Sequence, residues 1–75
     1  MYLTVGPNRV LRKEDIIAIF DLDSSTVSLH TRNFLKAAER DKMTVFLSYE
    51  LPKSFILTRD GLVYFSPFNS ATIYK

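Results

Sequence analysis

Four short runs in this 75-residue chain, "IIAIF", "VFL", "FIL" and "LVYF", are apolar at consecutive positions. A strand with one wet face alternates apolar and polar residues, so runs of this kind demand a sheet covered on both faces. A domain of this length buries only about 60% of the surface its unfolded chain exposes. Cysteine is absent and His30 is the only histidine, so neither disulfides nor a structural zinc site can supplement the core. One helix covers one face. The other, including Tyr64, Phe65 and Phe68, is expected to need a second copy of the chain. The alternative is that the N-terminal hairpin and the tail fold over it, but so small a domain has few residues to spare for both covers.

The elements follow from local signals. "YLTV", the turn composition Gly6-Pro7-Asn8 and "RVL" predict a hairpin. A strand is expected over about 15 to 22, rich in β-branched and aromatic residues, at the centre of the sheet. A helix is expected from about Ser28 to Asp41, with Ser25 or Ser28 as N-cap. Its inward face would carry Val27, Thr31, Phe34, Leu35 and Ala38. "MTVFLS" reads as a strand, "YELPKS" as a loop, and "FILTRDGLVYFS" as two strands joined at Asp60-Gly61. A short helix is expected to begin at Asn69 or Ser70. The fold class is α+β: a small single domain over residues 1–75, a mainly antiparallel sheet of five or six short strands, one principal helix, and a homo-oligomeric state.

Catalysis is not expected. "AIFDLDSSTV" has the look of a phosphoryl-transfer motif, with Asp21 as nucleophile and Asp23 as acid. That chemistry needs a metal, a further acidic ligand and a lysine from the ends of several parallel strands, which a chain of this length cannot build. Asp21 and Asp23 are better read as the end of a strand, with Ser24, Ser25 and Thr26 making turn or capping hydrogen bonds. A calcium loop fails for lack of its glycine and terminal glutamate. His30 has no cysteine to activate, no serine lies in a G-x-S-x-G context, and two glycines cannot supply a phosphate-cradling loop. No metal or cofactor is expected.

Ten Lys plus Arg against eight Asp plus Glu give a net charge of +2, compatible with nucleic-acid binding without requiring it. Two groups of cations could track phosphates. Arg32, Lys36 and Arg40, spaced i, i+4, i+8, share one helix face. Lys53 in the "YELPKS" loop and Arg59 across the hairpin form the other. No apolar run approaches the roughly 20 residues that cross a bilayer, and the N-terminus lacks signal-peptide character, so a cytoplasmic protein with no membrane partner is expected.

Three segments, "MYLTVGPNRVLRKEDIIAIFDLD", "FLKAAERDK" and "PKSFILTRDGLVYFSPFNSATI", together resemble the RemA/RemB family of extracellular matrix regulators. "MY", "DIIAIFD", "PKSFILT" and "VYFSP" are closest to its RemB (YaaB) branch. The resemblance implies a compact α+β domain assembled into homo-oligomeric rings and, for the RemA branch, binding of regulatory DNA upstream of biofilm-matrix genes. That branch presents clustered arginines between the two strands after the helix. Here the matching stretch is Glu50, Leu51, Pro52, Lys53 and Ser54, where only Lys53 is basic and Glu50 would repel phosphate. A scaffold that binds another protein and no nucleic acid is the alternative function.

Overall fold

The computed structural model describes residues 1–22 and 28–75. Tyr2–Gly6 (β1) and Arg9–Arg12 (β2) form an antiparallel hairpin. Its turn is set by Pro7, which restricts φ, and by Asn8, at φ 57° in the left-handed region that asparagine tolerates. A 3-10 turn at Lys13–Asp15 leads into β3 (Ile16–Asp21), followed by the helix α1 (Leu29–Arg40) and β4 (Thr44–Phe46). The strands β5 (Ser54–Thr58) and β6 (Val63–Ser66) and the short helix α2 (Ser70–Ile73) follow.

Among the described residues six strands are present, in two sheets and not one. β1 and β2 stand apart, while the second sheet has the order β3-β5-β6-β4, antiparallel except for the parallel pair β4 and β6. β3 is therefore an edge strand, and the expectation that it forms the centre fails. The physical reason is local: Asp60-Gly61, with Gly61 at φ 87°, closes β5 onto β6, and β4 takes the free side of β6.

The two faces of the larger sheet are covered unequally. On one, Ile56 and Tyr64 pack with Leu3 and Val5 of β1 and Ile73 of α2, bordered by Ile19, Val45, Leu47 and Phe68. The approach is close: a Cβ on Gly6 would lie 3.1 Å from Leu47 Cβ. The Ser66 hydroxyl donates to the Val5 carbonyl and accepts from the Phe68 N–H, so this contact leaves no polar atom stranded. The hairpin and tail thus cover Tyr64 and Phe68, which were expected to lie on the open face.

The opposite face carries a row of phenylalanines. Phe20, Phe55, Phe65 and Phe46 occupy matching register positions on β3, β5, β6 and β4. Successive ring centroids are 5.1, 6.5 and 4.7 Å apart. Phe55 is buried, but Phe20 and Phe46 at the two ends are 48% and 62% exposed. Helix α1 borders this face through His30, Thr31 and Phe34, leaving an open groove against Phe20, Phe55 and Leu57. No residue of α1 is buried, and Phe34 is 47% exposed. The expected inward face is only partly inward, and Val27 lies outside the described residues.

Candidate nucleic-acid interface

Helix α1 holds the basic stripe, and its two ends are well defined. Ser28 is extended at φ −75°, ψ 163°, and its Oγ accepts from the Thr31 N–H at 3.1 Å. Of the two expected caps, Ser28 is thus the one observed at this position, while Ser25 lies outside the described residues. At the other end Lys42, at φ 59°, donates its N–H to Glu39 O at 3.0 Å, and Met43 donates to Ala38 O at 2.9 Å. This paired closure is a Schellman motif built on a lysine where glycine is usual.

Between these ends Arg32, Lys36 and Arg40 are all exposed. Each step of four residues advances about 6 Å along the axis, so the three charges form a short rail. At 100° per residue Arg32 and Lys36 point to the side of the helix opposite Phe34, away from the groove. Arg40 Nε lies 3.4 Å from Asp41 Oδ1, an exposed pair too wet to neutralise the rail. A cation in the last turn also suits the negative end of the helix dipole.

Lys53 and Arg59 are not neighbours across a hairpin. They flank β5 at its two ends, separated by roughly 20 Å of extended chain. The Lys53 backbone donates to Ser66 O and accepts from Leu22 N–H, both at 2.8 Å. The Arg59 N–H donates to Asp15 O at 2.9 Å. Both side chains are exposed, but the five cations form a rail and two separate points, not a single patch. Lys53 directly precedes β5 and Arg59 directly follows it, so the strand itself holds the two apart. A further cation lies outside the set: the Arg9 guanidinium sits 5.6 Å over the Tyr64 ring.

The loop between β4 and β5 presents a different chemistry. Tyr49 is fully exposed and Leu51 nearly so, at 87%. The Glu50 N–H donates to Ser48 Oγ at 3.1 Å, and the Glu50 side chain faces solvent. With Phe46 and Pro52 these residues line an open groove. The apolar residues were visible in "YELPKS", but a loop position alone does not show that they lack cover.

Asp21 has a structural partner. Its carboxylate accepts from the Ser70 hydroxyl and the Ser70 N–H, each at 2.7 Å, tying the end of β3 to the start of α2. The Ser70 hydroxyl, and then the Ser70 N–H, hold its pKa below the usual aspartate value. Asp23, Ser24, Ser25 and Thr26 lie outside the described residues. Among the described residues no three His, Asp or Glu side chains gather as a metal site, and no helix is long and apolar enough to cross a membrane.

Against known families, the profile described as "RemA-like: Extracellular matrix regulatory protein A-like" matches residues 2–75. The comparison with curated proteins gives no match.

Proposed function

The chain belongs to the RemA-like family of extracellular matrix regulatory proteins, and from that premise we propose that it is a cytoplasmic DNA-binding transcription regulator of the RemB branch, working as a homo-oligomer. It acts by binding, without catalysis, metal or cofactor. The observation that carries this reading is the exposed rail of Arg32, Lys36 and Arg40, held on a helix capped at both ends and turned away from the sheet. Lys53 and Arg59 add separate contacts. A single rail neutralises few phosphates, so useful affinity needs several copies of the rail on one assembly.

The test is fluorescence anisotropy of a labelled mixed-sequence duplex at low and near-physiological salt. Binding weakens with salt, and the double variant Arg32→Ala/Lys36→Ala lowers the log–log salt slope by about 2. Absence of binding at low salt overturns the DNA reading.

A second reading is supported by Tyr49, Glu50 and Leu51, which put apolar side chains and a carboxylate at the loop where the RemA resemblance places arginines. In this reading the assembly is a scaffold for another protein. A pull-down from cell extract that recovers DNA and no protein counts against it.

A further inference from the structure

Between the hairpin and the larger sheet lies a half-open cleft of about 430 Å³, within the roughly 300–1,000 Å³ usual for small-molecule sites. Leu11 of β2, Asp15 of the 3-10 turn, Thr58 at the end of β5, Arg59 and Asp60 after it, and Tyr64 of β6 line it. The Arg59 N–H donates to Asp15 O at 2.9 Å, which fixes the two segments that frame the opening.

The polar groups of the cleft are unequally engaged. Asp60 is occupied: its Oδ1 accepts from the Thr58 hydroxyl and, at 3.3 Å, from the Leu62 N–H, holding the turn between β5 and β6. Asp15 and Arg59 are not. They carry opposite charges on adjoining backbones, yet among the described residues neither side chain enters an ion pair. Tyr64 is only 6% exposed, and its hydroxyl bonds to no described residue. A buried tyrosine ordinarily finds a partner for that hydroxyl. No fully enclosed side-chain polar atom lacks a partner among the described residues, so the Tyr64 hydroxyl opens into the cleft that its side chain lines. The ring beneath it is held by the core and by the Arg9 guanidinium, 5.6 Å from its centroid.

The charges select the ligand. A simple anion on Arg59 would lie beside the Asp15 carboxylate, and a simple cation on Asp15 would lie beside the Arg59 guanidinium. A molecule that carries both charges satisfies both groups. We propose that the cleft binds a free amino acid as its zwitterion, with the carboxylate on Arg59 and the Tyr64 hydroxyl, the ammonium on Asp15, and the side chain against Leu11. A guanidinium suits the first contact because its planar fork gives a carboxylate two parallel hydrogen bonds. The cleft shares no residue with the α1 rail, so this inference does not depend on DNA being bound there.

Amide NMR spectra of the full chain test it. Each standard L-amino acid is titrated to millimolar concentration while the amides of Leu11, Asp15, Thr58, Arg59, Asp60 and Tyr64 are followed. For any that binds, the carboxamide and the N-acetyl derivative each remove one charge, and inorganic phosphate and glycerol stand for a plain anion and a neutral polyol. The expected result is a saturable shift of these amides with at least one amino acid. Binding should weaken by roughly tenfold or more with either blocked derivative, and likewise in Arg59→Gln and in Asp15→Asn, since each loses a charge-assisted hydrogen bond. Tyr64→Phe, which removes the hydroxyl alone, should weaken it several-fold. If no amino acid moves these amides, the inference is overturned. Blocked derivatives that bind as well as the parent overturn the zwitterion assignment, as do phosphate or glycerol binding there more tightly than any amino acid. The blocked derivatives leave the protein unaltered, so they decide the question even where a variant unfolds.

Discussion

Lys42 and Gly61 both hold positive φ, at 59° and 87°, and only one of them is a glycine. Lys42→Gly should therefore raise stability by about 1 kcal/mol, and Gly61→Ala should lower it by about as much, both read from urea midpoints. Asp60-Gly61 was legible in the sequence because a tight turn leaves its signature locally, here with the Gly61 N–H donating to Thr58 O. Lys42 was not, since its backbone is imposed by the closing hydrogen bonds from Lys42 and Met43 back to Glu39 and Ala38. Asp21 shows the same limit: its place at a strand end could be read, but its partner Ser70 lies 49 residues away. Because folding lowers the Asp21 pKa, its contribution is fully present above the unfolded value of about 4 and fades as pH falls through the folded value. Asp21→Asn should accordingly lower the melting temperature at pH 7, and the gap from wild type should narrow by pH 3.

Helix α1 shows what an element owes to its ends when its flank is no more than half-buried. With no buried residue in α1, its caps carry an unusual share of its stability. Ser28→Ala should cost about 1 kcal/mol locally. Hydrogen exchange should show faster exchange along α1 with little change in β5, whose residues Ser54, Phe55, Ile56 and Thr58 are buried. The helix bounds were readable within a residue from Ser28 and the helix formers that follow. How far the helix docks was not, because periodicity shows which side is apolar and not whether another element meets it. Strand order was hidden for a related reason: "IIAIF" has the composition of a central strand, yet Ile17 and Phe20 of β3 are exposed at an edge.

Across the whole domain, β1 and α2 close the core together. Leu3 and Val5 meet Ile73 over Ile56 and Tyr64, so Ile73→Ala should cost about 2–5 kcal/mol, measured by denaturant unfolding. The doubly apolar strands signalled a sheet apolar on both faces; the chain covers one of them itself and leaves Phe20 and Phe46 exposed on the other. They could not say which face the chain would cover itself, because the number of residues available to a small domain does not fix where its hairpin will lie. That closure also bears on how the protein is made. The carbonyl of Val5 accepts from the hydroxyl of Ser66, 61 positions later. During synthesis the hairpin leaves the ribosome well before its partners, so the core forms only once Ile73 has emerged. Nascent chains stalled before Ile73 emerges should remain protease-sensitive, and protection should arrive in one late step.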